Sequence, residues 1–253
     1  MNKLKKKRLF FDIETSPNIG FFWQSGYKLN VPYSNIIKER AIICICYKWA
    51  DEKQVYSLTW DDNQDDKEML EKFMAVANEA SELVGHNSDK FDLPWIRTRC
   101  LFHRIPVFPT YTTIDTLKHA RSKFRFNSNR LDYIAQFLNV GEKLETGFDL
   151  WKDIVLNKDK KALKQMVDYC KNDVAILERV YNEIANYVPH KVHYGIQNGD
   201  DKCSCPECGS TDMKFSQKRY TATGLARIQL QCNSCYKYHT VSNTTYESSL
   251  KDE

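Results

Sequence analysis

The stretch Arg8-Leu9-Phe10-Phe11-Asp12-Ile13-Glu14, RLFFDIE, decides how the chain is read. It is an apolar run with strand character, and a side-chain period of two puts Asp12 and Glu14 on the same face. An isolated carboxylate in an apolar layer costs several kcal/mol, or its pKa shifts until it is neutral, so acids at i and i+2 at a strand's end point to a cation between them. Two further clusters extend the pattern: Asp92 closes GHNSDKFD (85–92), and Tyr169 and Asp173 bracket YCKND (169–173). Tyr169 and Asp173, four apart on a helix, project from one face about one turn from each other. Asp92 precedes LPWIRTR, where it also fits a helix N-cap with Pro94 in the first turn; the capping and catalytic roles do not exclude each other.

Around these clusters the first half alternates strand-like and helix-like segments. RLFFDIE, AIICICYKW (41–49) and VYSLTW (55–60) predict three strands, and their short connections allow an antiparallel meander. KEMLEKFMAVANEA (67–80) predicts an amphipathic helix, ELVGHN (82–87) a fourth strand, LPWIRTRCLFH (93–103) a helix and TTIDTL (112–117) a fifth strand. NRLDYIAQFL (129–138) and KKALKQMVDYCKNDVAILERVYNEIANYV (160–188) complete a helical second part. After Pro189 the composition turns polar, which predicts a linker over 189–202 between a domain at 1–188 and a cysteine-rich tail at 203–253.

With 253 residues, 42% of them hydrophobic, the chain can hold one domain of ordinary size and a small second one. The opening MNKLKKKRLFF resembles the basic region of a signal peptide, but Asp12 cuts its apolar stretch short. The expectation is a soluble cytoplasmic protein, in the host cytoplasm if phage-encoded, with no membrane span. Nine cysteines could mean disulfides, yet Cys44, Cys46, Cys100 and Cys170 sit in apolar or helical surroundings, as reduced core thiols do. A net charge of +4 permits a nucleic-acid partner without requiring one.

In order and approximate spacing FDIET (11–15), Asn87-x-x-x-Phe91-Asp92 and Tyr169-x-x-x-Asp173 resemble the DEDD exonuclease superfamily. The DEDDy branch fits best, because the position five before the last Asp, which is histidine in the other branch, is Asp168 here. The chain is similar to stand-alone, phage-type DnaQ-like exonucleases and to the YprB-like ribonuclease H group over roughly residues 7–188. That resemblance implies an RNase H-like α/β fold, a mixed five-stranded sheet flanked by helices. It also implies catalytic roles for Asp12, Glu14, Asp92, Tyr169 and Asp173. Asp12, Glu14 and Asp173 would hold one divalent ion, and Asp12 would bridge to a second that Asp92 helps to hold. Oxygen-only ligands suit Mg²⁺ or Mn²⁺, and two such ions roughly 4 Å apart serve both oxygens of an in-line displacement at phosphorus. Tyr169, with an ordinary pKa of about 10, is a poor general base, so it is assigned to orienting the attacking water with Glu14. Asp89 competes with Asp92 for the second motif, but the family pattern has Phe directly before its Asp. Asp115 reads as a strand-end residue or a further metal contact, and His86 as a structural histidine.

KHARSKFRFNSNR (118–130) interleaves Lys118, Arg121, Lys123, Arg125 and Arg130 with Phe124 and Phe126, a track for single-stranded nucleic acid or a solvated helix face. Trp23 is placed to stack on a terminal base or to join the core, and Asn87 to contact the sugar-phosphate backbone or cap the strand end. In the tail, CPEC (Cys205, Cys208) and CNSC (Cys232, Cys235) are two knuckles about 23 residues apart, a spacing suited to one structural Zn²⁺. The span between them alternates like a hairpin, so a small β zinc ribbon is expected, with Cys203 the alternative to Cys205. Lys214, Lys218, Arg219 and Arg227 with Tyr220 and Tyr236 would give it a basic, aromatic face for nucleic acid, or for docking a replication or recombination protein.

The function expected from this reading is 3′–5′ exonuclease hydrolysis of single-stranded nucleic acid, DNA favoured over RNA, to nucleoside 5′-monophosphates by a two-metal-ion mechanism. The alternatives are an RNase H-like endonuclease or ribonuclease, and a non-catalytic zinc-ribbon adaptor.

Overall fold

The run RLFFDIE and the following Thr15 form β1 (Arg8–Thr15), and alternation along it is what assembles the domain. Two short strands, β2 (Ile19–Gly20) and β3 (Ile36–Lys38), then pair with each other apart from the main sheet. Next come β4 (Ile42–Trp49), β5 (Tyr56–Thr59), α1 (Lys67–Glu79), β6 (Glu82–Gly85), α2 (Asp92–Phe102) and β7 (Thr113–Asp115). The helices α3 (Thr116–Lys123), α4 (Leu131–Phe137), α5 (Asp149–Leu156) and α6 (Lys160–Ile184) follow. This computed structural model describes residues 7–26, 29–50, 52–107, 112–142 and 146–251. Most of the basic opening read for an export signal, residues 1–6, lies outside the described residues.

The main sheet has the order β5-β4-β1-β6-β7, antiparallel through β5, β4 and β1 and parallel from β1 through β6 to β7. It is the mixed five-stranded sheet expected, with helices on both faces. On one face Leu9, Phe11 and Ile13 pack with Ile45, Tyr47, Met69, Leu70, Phe73, Leu93 and Ile96, which seats α1 and α2. On the other, Phe10 meets the Tyr181 ring edge-on at 5.5 Å and Lys48 pairs with Glu178 at 2.5 Å, which seats α6. β4 is buried along nearly its whole length, so its sequence reads as a continuous apolar run instead of alternating. Asp66, fully buried, ties three elements together: its carboxylate accepts from Arg99 Nε and Nη2 at 2.8 Å, from Ile42 N at 2.9 Å and from His103 Nε2 at 2.6 Å. Burial pushes that carboxyl up, but the bonds from Arg99, Ile42 and His103 outweigh it and hold it below the ordinary value.

The chain divides into two compact units, residues 7–183 and the described residues from 184 onward. The second contains α7 (Tyr194–Gln197), β8 (Met213–Tyr220), β9 (Ala226–Cys232), β10 (Tyr238–Ser242) and α8 (Asn243–Ser249), the strands forming an antiparallel sheet in the order β10-β9-β8. Ile228, Leu230 and Val241 are its core cluster. The polar stretch 189–202, expected as a linker, contains α7: Tyr194 is 3% exposed and its N–H donates to the Pro206 carbonyl at 3.0 Å. Polar composition concealed this, because one buried tyrosine in a single helical turn carries no period to detect. Among the described residues no helix is long and apolar enough to cross a membrane.

Candidate functional site

Asp12 and Glu14 stand on the α6 side of β1, both half-buried, and β1 bulges against β4 between Glu14 and Thr15 just past them. Asp173 on α6 comes down over the same face and is 4% exposed. One carboxylate oxygen from each of the three lies within 4.8 Å of the others. Tyr169, one helical turn earlier, is 8% exposed. Sequence spacing puts Asp12 with Glu14 and Tyr169 with Asp173 on common faces, and the packing of a strand against a helix distant in sequence brings the two pairs together.

Asp92 is placed differently. β6 pairs with β1 only as far as Phe10 opposite Val84, and farther along β1 the N–H of Ile13 donates to Asp92 Oδ1 at 3.2 Å. Asp92 is 3% exposed in the first turn of α2 and is not one of the three converging acids. Burial pushes its carboxyl up to about 7, against the backbone N–H bonds it accepts, and the neighbouring Asp115 charge adds to the rise. In the metal-free protein the folded chain therefore binds this proton more tightly than the unfolded chain does. Stability then falls as pH climbs from the ordinary value of 3.8 towards about 7. Asp92→Asn keeps an oxygen for the Ile13 N–H and removes the charge. Its urea midpoint without metal is expected to exceed wild type at pH 8 and to match it at pH 4; a lower midpoint at pH 8 would refute the burial cost.

Asp115 caps α3. Its carboxylate accepts from the backbone N–H groups of Leu117 at 3.0 Å, Lys118 at 3.3 Å, Asn87 at 2.9 Å and Asp89 at 3.3 Å. The first two bonds cap α3, the last two hold the turn carrying Asn87, which adopts φ +66°, and together they give Asp115 a structural task. His86 has both ring nitrogens engaged, Nδ1 with Thr116 Oγ1 at 2.9 Å and Nε2 with the Asn129 carbonyl at 3.0 Å, so Nε2 carries a hydrogen.

A cleft of about 650 Å³ opens over the acids, and Asp12, Asp173, Asn87, Arg121 and Arg130 all line it. Lys118 lines a neighbouring cleft of about 440 Å³ together with Asn87 and Arg121. Arg125 lines neither, and its Nη1 donates to the Phe124 carbonyl at 3.2 Å. Trp23 is fully exposed, so of its two readings the core one is excluded. Asn129 and Asp132 also line the acidic cleft and were not singled out from sequence. Asn129 Oδ1 is buried without a hydrogen-bond partner among the described residues. The signal available was the polar NSN run just ahead of α4.

In the second unit the Sγ atoms of Cys205, Cys208, Cys232 and Cys235 lie within 4.8 Å of one another, with Cys205 to Cys235 at 3.5 Å and Cys208 to Cys232 at 3.6 Å. Cys203 is outside that group, its Sγ on Ser249 Oγ at 3.3 Å. Burial pushes the Cys232 thiol up, yet the N–H groups of Cys235 and Ser234 and the neighbouring thiols bring it down to about 7. Burial raises Cys208 to about 11. Four sulfurs on two tight turns fit a tetrahedral soft ion, with no position left open for water. β8 is exposed along nearly its whole length and carries Lys214, Lys218 and Arg219, with the Lys218 ammonium 5.9 Å from the Tyr220 ring centroid.

A mixed sheet with two acids on its central strand and a third on the helix across it defines an acid-centred α/β protein. Residues 36–185 match a family model described as the RNase H superfamily, and the chain belongs to that superfamily. The matched span contains Asp92, Tyr169 and Asp173 and begins after Asp12 and Glu14. Among curated proteins no sequence matches. Among solved structures the chain is similar to a family B DNA polymerase from the hyperthermophilic archaeon Pyrobaculum calidifontis, with a TM-score of 0.57 and 13% identity. That likeness covers 87% of this chain but 31% of the polymerase, and it is a likeness of fold.

Proposed function

We propose that this chain is a metal-dependent 3′–5′ exonuclease of the DEDDy, phage-type group, hydrolysing single-stranded nucleic acid, DNA in preference to RNA, to nucleoside 5′-monophosphates. The observation that carries the reading is the convergence of Asp12, Glu14 and Asp173, two of which, Asp12 and Asp173, line a cleft together with Arg121 and Arg130. An RNase H superfamily fold supports a nucleic-acid hydrolase. The donor set is all oxygen, which fits Mg²⁺ or Mn²⁺. Asp12, Glu14 and Asp173 would hold one ion, and Asp92 with Asp12 a second. When bound, such ions supply positive charge that keeps the acids ionised and offsets the negative charge growing on the phosphate.

The chain's own groups do the positioning. Arg121 and Arg130 neutralise the phosphates of the entering strand, Asn87 holds its sugar-phosphate backbone, and Lys118 and Arg125 extend the basic track beyond the cleft. Trp23, exposed soon after the catalytic strand, offers a stacking surface for a base. Tyr169 orients the attacking water through its hydroxyl, with Glu14 accepting from that water. Cys205, Cys208, Cys232 and Cys235 would hold a structural Zn²⁺ in a ribbon that captures the strand or docks a replication or recombination protein. The division we assign is a nuclease domain over 1–188, a connector over 189–202 and the ribbon over 203–253, in a cytoplasmic protein.

The test is a pair of equal-sequence substrates, one linear and 5′-labelled, one circular, each as DNA and as RNA with Mg²⁺ or Mn²⁺. The expected result is a ladder shortening from the 3′ end of linear DNA and an intact circle. Degradation of the circle would establish the endonuclease instead. Arg121→Ala is expected to weaken binding and to lower the slope of log affinity against log salt by about 0.7, the share of one single-strand phosphate contact.

A further inference from the structure

The face of the sheet that carries the acids continues into sulfur. In the β1–β4 register Asp12 stands opposite Cys46 and Glu14 opposite Cys44, and residues directly opposite in an antiparallel pair present side chains to the same face. α6 covers that face and contributes Cys170, between Tyr169 and Asp173. The three Sγ atoms lie within 4.8 Å of one another, and all three residues are 0% exposed. Cys170 Sγ is 3.5 Å from the Asp12 carbonyl oxygen and 3.7 Å from Asp12 Oδ2, and Cys46 Sγ is 3.7 Å from the Val167 carbonyl. Asp12 thus belongs at once to the acid group and to the boundary of a thiol group.

We infer that Cys44, Cys46 and Cys170 form a second metal site, selective for a thiophilic divalent ion such as Zn²⁺ or Cd²⁺, behind the acidic centre. Tetrahedral zinc with metal–sulfur bonds near 2.3 Å requires sulfurs about 3.8 Å apart, so the thiols need to close by no more than about 1 Å. The Asp12 carboxylate is placed to complete a set of three sulfurs and one oxygen. The ordinary alternative is a packed cluster of reduced thiols, and the fourth buried cysteine of the 7–183 unit shows what a packed thiol looks like: Cys100 lies within the apolar cluster of the opposite face, outside every such group of donors among the described residues. The sealed position makes loading slow, through opening of α6 or during folding, and each thiol gives its proton to solvent as it binds. The consequence for catalysis rests on the proposed function, whereas the binding does not. An ion held here engages Asp12, and excess Mg²⁺ or Mn²⁺, which prefer oxygen, will not displace it from sulfur.

The experiment uses the full chain refolded in excess Cd²⁺ and excess Mg²⁺, so that both cysteine groups meet the soft ion before the chain closes, and then freed of unbound metal. Bound metal is counted, and ¹¹³Cd resonances report the ligand set. Wild type is expected to hold two soft ions per chain, with one resonance of the three-sulfur, one-oxygen kind. Cys170→Ala and Cys44→Ala should each hold one, while Cys100→Ala keeps two, and near-ultraviolet circular dichroism verifies that all are folded. A wild type that stops at one ion, or a folded Cys170→Ala that still holds two, overturns the site. The metal count is readable on a preparation with no nuclease activity, so failure of the site and failure of the proposed function are distinguishable.

Discussion

Asp12→Ala is expected to lower cleavage of a labelled single strand by at least about 10³-fold, a loss of about 4 kcal/mol of transition-state stabilisation, with oligonucleotide binding changed less than about tenfold. Asp12 converges with Glu14 and Asp173 and touches Cys170. On the proposed function, removing it leaves two acids that can no longer hold a cation between two elements, while Arg121 and Arg130, which still line the cleft, would still meet the strand. Stability provides the control. Deleting one of three converging carboxylates relieves like-charge repulsion in metal-free buffer, so the variant should melt at or above wild type. Cleavage within tenfold of wild type would show that the converging acids are not the reaction centre. A collapse in melting temperature would show that Asp12 is a structural group.

The largest effect on folding is expected in the second unit. Cys205→Ser should reduce bound zinc at the two knuckles from one ion to none and collapse the dispersed amide signals of β8, β9 and β10. The signals of residues 7–183, which have their own core, should survive. The core cluster of the small unit has three buried apolar residues, Ile228, Leu230 and Val241. Burying a side chain of that kind contributes about 1.5–3 kcal/mol, whereas zinc bound by such a set supplies an apparent 10–16 kcal/mol or so. The metal outweighs the apolar core. Titration with a chelator, followed by amide spectra and by the released metal, should give the same result as the substitution. A metal-free ribbon with its sheet signals intact would refute the zinc assignment.

Part of this architecture is legible in the sequence. β1, β4, α1 and α6 were found because each carries a period, two or near 3.6, or an unbroken buried run. The same periods put Asp12 with Glu14 and Tyr169 with Asp173 on common faces. The knuckle spacing picked the four cysteines that converge and ranked Cys203 below Cys205. What stayed hidden has no period. β2 and β3 are two and three residues long, and α7 is a single turn inside a polar stretch. The sequence leaves Asp115 as a strand end or a metal contact, and the four backbone N–H groups from which it accepts come from two separate turns. The basic track was named as one surface, but the cleft takes Arg121 and Arg130 and leaves Arg125 outside.

The sequence by itself determined which elements form and which faces carry acid, because alternation and helical repeat are local properties of the chain. Tertiary structure alone decided that Asp173 meets Asp12 and Glu14, that Asp92 is buried against the N–H of Ile13, and that three thiols lie beside Asp12. Those outcomes follow from strand register and from where α2 and α6 land on the sheet. Both are set by the burial of side chains far apart along the chain, which no local pattern encodes.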